Sequence, residues 1–180
     1  HVILELHVDV FKNESEAVMR DAYLISHFQT GLKNVLDRAV LKHQELHREL
    51  GIEKYRMVDE IPFDFSRRMM SVAIEGAGGE RQLLTKGAPE AVFAKCTHFE
   101  SEGEIFPMEP ILVGDLVEQV NELSEDGFRV LAVATKKLGA QTTFSKTDEK
   151  ELVLTGYLAF LDPPKDSAAK AIEALRQNGV

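Results

Sequence analysis

The 180-residue sequence predicts an α+β domain built on a largely antiparallel, twisted β-sheet that is flanked by helices. Two observations lead to this fold class. Runs of residues with the two-residue period of strands are interrupted by runs with helical spacing. Short turn signals, Gly76-Ala77-Gly78-Gly79 and Glu102-Gly103, join neighbouring strand runs as hairpins. This mixture is typical of α+β domains, whereas a parallel sheet requires a regular alternation of strands and helices.

The first fifty residues predict one strand and two helices. The alternation of apolar and polar residues over Val2–Val10 predicts the strand. Asn13 can cap a helix over residues 14–28, which carries an apolar stripe along one face. A second helix is predicted over residues 33–50, and Gly51 ends it.

Strands dominate the middle of the chain. From Tyr55 onward the period changes to two, which predicts three successive strands: Arg56–Phe63, Met69–Glu75 and Gln82–Lys86. A helix is predicted over residues 88–96, because Pro89 lacks the N–H that would have no partner in a first helical turn. We expect Cys96 to lie near the end of this helix as a small apolar residue.

The last third of the chain predicts two further helices and two strands. They are a helix over residues 110–126, a strand at Phe128–Lys137, a strand at Glu151–Phe160 and a helix at Ser167–Asn178. A polar loop over residues 140–150 separates the two strands. Asp162-Pro163-Pro164 forces an extended connection, because a residue that precedes proline is disfavoured in the helical region.

Composition excludes several classes of function. The net charge of −9 argues against general affinity for nucleic acid or for an anionic membrane surface. The single cysteine excludes an internal disulfide and a cysteine-based metal cage. No apolar run approaches the roughly 20 residues of a membrane-spanning helix, so we expect no direct membrane insertion. The sequence begins at His1 within a strand pattern and stops at Gly179-Val180, directly after the predicted end of a helix, and we expect it to be a piece of a larger protein.

Four segments indicate one chemistry when they are taken together. They are Glu60-Ile61-Pro62-Phe63-Asp64-Phe65-Ser66-Arg67-Arg68, Lys86-Gly87-Ala88-Pro89-Glu90, Gly127-Phe128-Arg129-Val130-Leu131-Ala132 and Leu161-Asp162-Pro163-Pro164-Lys165. An aromatic ring beside paired arginines suits a nucleotide, since the ring can stack on a base and guanidinium groups bind phosphate. A lysine before a helix N-terminus can also hold phosphate. Two alternatives stay open: Phe65 packs in the core beside solvated arginines, and the lysine segment is only a strand–turn–helix junction.

The order and spacing of these segments resemble the nucleotide-binding domain of P-type ATPases, pumps that phosphorylate themselves on an aspartate. Three stretches resemble the bacterial magnesium-transporting subfamily in finer detail. They are Phe28-Gln29-Thr30-Gly31-Leu32-Lys33-Asn34, Glu60-Ile61-Pro62-Phe63-Asp64-Phe65 and Gly156-Tyr157-Leu158-Ala159-Phe160-Leu161-Asp162-Pro163-Pro164-Lys165. The resemblance implies that residues 1–160 form the nucleotide-binding domain. It also implies that residues 161–180 form the hinge and the start of the phosphorylation domain.

The resemblance implies a role for five residues around the base. Phe65 corresponds to the phenylalanine that stacks on adenine, and Lys86, followed by Gly87, corresponds to the lysine at the bottom of the adenine pocket. Leu131 corresponds to a residue of the pocket wall. Asp37 is the best match to an acidic residue that contacts the amino group of the base.

The resemblance also implies contacts to the phosphates. Arg129 corresponds to an arginine that reaches them, and Arg68 stands near the position of a family lysine, in a turn that is shorter than in the calcium pumps. The family's phosphorylated aspartate is absent, so no catalytic residue and no metal ligand are assigned in this chain. We therefore expect the isolated chain to bind ATP and ADP without becoming phosphorylated.

The parent protein implied by the resemblance is an ion-translocating ATPase, with Mg²⁺ as the expected transported ion. It would use ATP as MgATP and would work with its own phosphorylation, actuator and transmembrane domains. The domain would lie at the cytoplasmic face of the inner membrane. Three alternatives stay open: a nucleotide-sensing domain without catalysis, a pump for another ion such as Ca²⁺, and a protein-interaction module.

Overall fold

Eight strands form one sheet in the computed structural model, which describes residues 1–163. The strands are β1 (Ile3–Val8), β2 (Arg56–Asp64), β3 (Met69–Glu75), β4 (Arg81–Gly87), β5 (Cys96–Ser101), β6 (Glu104–Pro107), β7 (Arg129–Leu138) and β8 (Leu152–Leu161). Their order in the sheet is β2-β3-β4-β7-β8-β5-β6, and β1 pairs with β8 beside β5. Within the described residues, every pairing is antiparallel except that of β5 with β8. The predicted α+β fold class is confirmed.

Five α-helices flank this sheet within the described residues. They are α1 (Glu16–Phe28), α2 (Val35–Leu41), α3 (Glu45–Glu49), α4 (Pro89–Phe93) and α5 (Pro110–Glu125). Two further single turns of 3₁₀-helix cover Ile52–Lys54 and Lys146–Asp148. No helix among residues 1–163 combines the length and the apolar character needed to cross a bilayer.

The helices at the start of the chain differ from the prediction in two ways. The cap of α1 is Ser15, whose hydroxyl accepts a hydrogen bond from the Val18 N–H, and Asn13 instead donates to Asp9. The predicted helix over residues 33–50 is broken into α2 and α3. At the break His43 donates its N–H to the Val40 carbonyl only three residues back, so the α-helical ladder stops there.

The prediction that Cys96 lies near the end of a helix is wrong. Helix α4 ends at Phe93, and Cys96 begins β5, where it pairs with Leu152 of β8. The backbone N–H of Leu152 donates to the Lys95 carbonyl at 2.9 Å, so sheet pairing takes over directly after the helix. Such pairing depends on a strand more than fifty residues away, which local propensity does not contain.

The two faces of the sheet carry separate apolar cores. Helices α1 and α2 cover one face, where Val72, Leu84 and Val133 are buried. Helices α4 and α5 cover the opposite face, where Leu83 and Ala132 are buried. Because side chains alternate between faces along a strand, Lys86 lies on the face of Leu84, under α1 and α2.

A buried ion pair fixes the turn between β2 and β3 from the face opposite Lys86. The Arg67 guanidinium donates to the Glu149 carboxylate at 2.7 Å, and Glu149 is only 1% exposed. Ser71 donates to the same carboxylate at 2.6 Å and also hydrogen-bonds Thr85 of β4. Arg67 further donates to the carbonyl of Met69. Its guanidinium is therefore committed to this network, which corrects the expectation that both arginines of the turn face phosphate.

Two predictions about residues 160–180 are not tested by the described part of the chain. Strand β8 extends to Leu161, one residue beyond the predicted domain boundary at residue 160. The helix predicted at Ser167–Asn178 lies outside the described residues. The division into a domain over residues 1–160 and a hinge over residues 161–180 stays a prediction.

We expect Glu149→Ala to lower the free energy of unfolding by about 3 kcal/mol, because it leaves the Arg67 guanidinium without its buried partner. Chemical denaturation of the variant and the wild type measures this difference. Glu118→Ala, at an exposed position of α5, is the matched control and should change stability by less than about 0.5 kcal/mol. Equal stability of Glu149→Ala and wild type would contradict a structural role for the pair.

Candidate functional site

A cavity of about 400 Å³ lies on the face of the sheet that α1 and α2 cover. Its lining combines apolar side chains with polar ones. The apolar residues are Leu32, Pro62, Phe63 and Met70, and the polar ones include Gln29, Thr30, Asn34, Asp37, Glu60 and Lys86. This combination of an apolar surface with a few convergent polar groups is typical of sites for small organic ligands.

An ion pair forms the floor of the cavity. Lys86 of β4 is 8% exposed, Asp37 of α2 is 1% exposed, and the ammonium donates directly to the carboxylate oxygen Oδ1. The Ser26 hydroxyl of α1 donates to the same oxygen at 2.9 Å. The pair therefore joins the sheet to both helices above it.

The environment of this pair favours its charged form. Burial alone would raise the pKa of Asp37, but the ammonium of Lys86, the Asn34 N–H and the Ser26 hydroxyl outweigh this effect, and the pKa falls below its ordinary value. Burial lowers the pKa of Lys86, and the carboxylate of Asp37 offsets part of that effect. Each charge is thus stable in the interior only because the other is present.

The segment between α1 and α2, residues 29–34, forms one wall of the cavity. Thr30 ties this segment to β2, because its hydroxyl donates to the Glu60 carboxylate at 2.6 Å and its N–H donates at 3.1 Å. Lys33 donates to the Ser26 carbonyl at 2.6 Å and so holds the end of α1. Asn34 caps α2 and forms a reciprocal capping box with Asp37. The wall is thus fixed by polar contacts at both ends.

Two phenylalanines stand at the opposite side, near the end of β2. The Phe65 ring is 89% exposed, so the alternative that it packs in the core is wrong. Its neighbour Phe63 lines the cavity, and the two rings meet edge to face with centroids 5.2 Å apart. Sequence reasoning missed Phe63. The signal that could have found it is the spacing of two residues between the rings at the end of one strand.

The turn between β2 and β3 also contains Arg68, which is exposed and adopts a positive φ of 59°. Gly87 of β4 packs directly against this turn. A Cβ atom at Gly87 would collide with the carbonyl oxygen of Arg68 and lie 2.6 Å from the Cβ of Met69. Glycine is therefore required for this close approach of β4 to the turn, and contact of Gly87 or Arg68 with a nucleotide stays a prediction.

Arg129 and Leu131 lie at the same end of the sheet as the cavity. Strands β4 and β7 are antiparallel, and Gly87 at the end of β4 pairs with Ala132 near the start of β7. Leu131 is half-buried and packs against the core beneath α1 and α2. The Arg129 guanidinium is about half exposed and donates to the Asp162 carboxylate at 2.9 Å. Neither residue lines the cavity of Lys86.

The structure thus brings some of the predicted site residues together and leaves others at the margin. Asp37 and Lys86 share the floor of one cavity, while Phe65 and Arg68 belong to the turn beside it and Gly87 ends β4 against that turn. The ammonium of Lys86 does not serve the N-terminus of α4, because α4 packs on the opposite face of the sheet.

Comparison with known proteins gives the family. The model of the P-type ATPase cytoplasmic domain N matches residues 31–167 of this chain. The chain belongs to this P-type ATPase family. Its segments around Phe65, Lys86 and Arg129 all fall within the matched range of domain N.

The relatives of this domain N include pumps for two ions. A "Magnesium-transporting ATPase, P-type 1" of Escherichia coli K12 is 42% identical over 99% of the chain and 20% of its own length. A protein of the same name from Salmonella typhimurium is 41% identical over the same shares. "Calcium-transporting ATPase lmo0841" of Listeria monocytogenes is 36% identical over 71% of the chain and 14% of its own length. The chain spans about a fifth of the length of the magnesium-transporting relatives.

The pH dependence of stability tests the ion pair at the cavity floor. Because the pKa of Asp37 is lowered by folding, its contribution is fully present above the unfolded value of 3.8. The contribution is lost as the pH falls from that value through the lower folded pKa. We expect Asp37→Asn to lower the free energy of unfolding at pH 7 by about 3 kcal/mol, because Lys86 stays buried without a partner.

We expect the difference between wild type and Asp37→Asn to shrink as the pH falls below about 4, where the unfolded carboxylate becomes protonated. Denaturation curves between pH 2 and pH 7, at roughly half-unit steps, measure this difference. Asp115→Asn, at an exposed position of α5, serves as the control and should leave the curve unchanged. A difference that is independent of pH would contradict the assigned ion pair.

Proposed function

We propose that this domain N binds ATP, with the adenine base in the cavity above Lys86 and the phosphates toward Arg129. The observation that carries the proposal is the arrangement at one end of the sheet. A buried Lys86–Asp37 pair forms the floor of a cavity that Phe63 lines, and an exposed phenylalanine, Phe65, stands beside it. The Phe65 ring meets Phe63 only edge to face and stays 89% exposed, so it can present its flat surface to an aromatic ligand beside the cavity.

The apolar lining is suited to the flat faces of a purine. Pro62, Phe63 and Met70 are contributed by β2 and β3, and Leu32 comes from the opposite wall. The volume of about 400 Å³ lies within the range of small-ligand sites. Stacking of a base on Phe65 would cover a ring that is otherwise exposed, and this would stabilise the complex through apolar burial.

The phosphates require cations against the net charge of −9. Arg129 and Arg68 are exposed guanidinium groups near Gly87: β7 begins at Arg129 and pairs with β4, and the turn that holds Arg68 contacts Gly87. Arginine suits this role because its planar donors match phosphate oxygens. The nucleotide would bind as MgATP in the whole pump, where Mg²⁺ neutralises part of the phosphate charge.

The whole protein is proposed to be an ion-translocating ATPase that forms an aspartyl-phosphate outside this chain. Domain N would carry the γ-phosphate to the phosphorylation domain, so its contribution to catalysis is positioning. Its partners would be the phosphorylation, actuator and transmembrane domains of the same protein, at the cytoplasmic face of the inner membrane. Mg²⁺ is favoured over Ca²⁺ as the transported ion, because the magnesium-transporting relatives are more similar over more of the chain.

The first test concerns the exposed ring. We expect Phe65→Ala to weaken ATP binding by about 1–3 kcal/mol, the range for loss of a base–aromatic stack. The fold should stay intact, because the ring is exposed. Titration followed by NMR measures both effects, and Phe11→Ala, at another exposed phenylalanine outside the cavity, is the control. Unchanged affinity in Phe65→Ala would contradict the stacking role.

The second test concerns the cavity floor. We expect Lys86→Ala to weaken AMP, ADP and ATP by a similar factor, because the base that contacts the cavity is common to all three. Isothermal titration calorimetry of the three nucleotides measures this pattern. The double variant Lys86→Met with Asp37→Asn leaves no buried unpaired charge and separates binding from misfolding.

A loss that grows steeply from AMP to ATP and falls with added salt would instead make Lys86 a phosphate ligand. That outcome would contradict the placement of the base. Hydrolysis of ATP to a phosphoenzyme by the isolated chain would contradict the assignment of the chain as domain N.

A further inference from the structure

The carboxylate of Asp37 has no acceptor position left for a ligand. Lys86 and Ser26 donate to its oxygen Oδ1, while the Gln29 amide donates to Oδ2 at 2.8 Å and the Asn34 N–H donates at 3.0 Å. An ionised carboxylate accepts about four hydrogen bonds, two on each oxygen. Asp37 is therefore occupied by the protein itself and cannot also receive the amino group of a base without losing a partner.

The neighbouring amide of Gln29, in contrast to Asp37, has an acceptor position left for a ligand. An ionised carboxylate only accepts, so the NH₂ group of Gln29 must face Asp37 and its carbonyl oxygen Oε1 must face elsewhere. Within residues 1–163 no protein group donates a hydrogen bond to this oxygen. Since Gln29 lines the cavity, its carbonyl oxygen is an acceptor available to a ligand there.

The backbone of Gln29 is held in place at both of its polar groups. Its N–H donates to the Ile25 carbonyl at 3.0 Å as the C-cap of α1. Its carbonyl accepts a hydrogen bond from the Lys33 ammonium at 3.2 Å. With the backbone fixed and one amide N–H bound to Asp37, the side chain is preorganised, and little conformational entropy is lost when it meets a ligand.

We propose that Gln29 selects the base, by accepting a hydrogen bond from the 6-amino group of adenine on its carbonyl oxygen. This inference rests on the proposed function and names the residue that determines base specificity at that site. A primary amide suits the adenine edge, where a donor stands beside a ring acceptor. A 6-oxo purine such as inosine presents a carbonyl to the same oxygen, so two acceptors would face each other and neither would be satisfied.

Glu60 is the rival acceptor at this cavity, since its carboxylate also lies in the lining. Its oxygens already accept hydrogen bonds from the hydroxyl and the N–H of Thr30, and these contacts are exposed to solvent. Gln29, by contrast, is bonded directly to the buried pair at the floor. A hydrogen bond discriminates more strongly where water competes less, which favours Gln29.

The experiment measures dissociation constants of the 180-residue chain for three nucleotides that differ at position 6 of the purine, the 6-oxo base also carrying a hydrogen on N1. They are ATP, inosine triphosphate and purine riboside triphosphate, which carry an amino group, an oxo group and hydrogen. We expect wild type to bind ATP about five- to tenfold more tightly than purine riboside triphosphate, and inosine triphosphate more weakly still. In Gln29→Met both ratios should fall to near one.

Three further variants separate the possible roles. Gln29→Glu keeps an acceptor but loses the donor to Asp37, and it should keep the preference for ATP over purine riboside triphosphate. Glu60→Gln and Gln44→Met, the latter at an exposed glutamine, should leave the ratios at their wild-type values. A purely supporting role of Gln29 beneath Asp37 would weaken all three nucleotides by the same factor in Gln29→Met and leave both ratios unchanged.

Unchanged ratios in Gln29→Met, or ratios lost in Glu60→Gln instead, would overturn the inference while ATP binding itself stands. Absence of any nucleotide binding in wild type would overturn the proposed function together with the inference. If Gln29→Met fails to fold, Gln29→Glu decides alone, since loss of the preference for ATP in a folded Gln29→Glu would also overturn the inference.

Discussion

The buried ion pair between Lys86 and Asp37 is the interaction on which the candidate site depends. It places one charge from the sheet against one from α2, and each would be costly to bury without the other. Ser26, Gln29 and Asn34 then direct their donors at the same carboxylate, so α1, α2 and the segment between them are arranged around it. The pair thus fixes the depth of the cavity and the orientation of the groups at its floor.

A second hydrogen-bond network lies on the opposite face of the sheet, at the same end of β3 and β4. Glu149 receives Arg67 and Ser71, and Ser71 reaches Thr85, the residue before Lys86. The two networks therefore meet at neighbouring positions of β3 and β4, one above the sheet and one below. Gly87 completes this arrangement, because only a residue without a side chain allows β4 to approach the turn so closely. The exposed ring of Phe65 thus stands on a turn that these contacts hold against the sheet.

This geometry determines which charged residues are paired in the interior and which lie at the surface. Buried charges in this part of the molecule are paired within the protein, while Arg68 is exposed at the rim and Arg129, about half exposed, pairs with the exposed carboxylate of Asp162. A domain with a net charge of −9 holds an anion only by concentrating free cations locally. Lys86 at the cavity floor and Arg67 at the turn are bound to carboxylates of the protein, so the proposed function assigns the phosphates to the arginines at the rim.

The sequence by itself determined the fold class, most strand positions, and the family. The two-residue period of Met69–Glu75 and the hairpin turn at Glu102-Gly103 depend only on adjacent residues. Such patterns can therefore be recognised without knowledge of the partner strand. The proximity of Lys86 to Asp37 came from family resemblance rather than from spacing, since 49 residues separate them. Local sequence instead suggested that Lys86 faces the helix that follows it.

Only the tertiary structure decided which charged side chains form ion pairs within the protein. Arg67 and Arg68 are adjacent and chemically alike, yet one turns toward Glu149, 82 residues away, and the other toward solvent. The position of Cys96 in β5, the cap of α1 at Ser15 and the cavity-lining ring of Phe63 likewise depend on long-range packing. The physical reason is common to all of them: hydrogen bonds and burial are satisfied between distant segments, and a sequence pattern records only a residue's immediate neighbours.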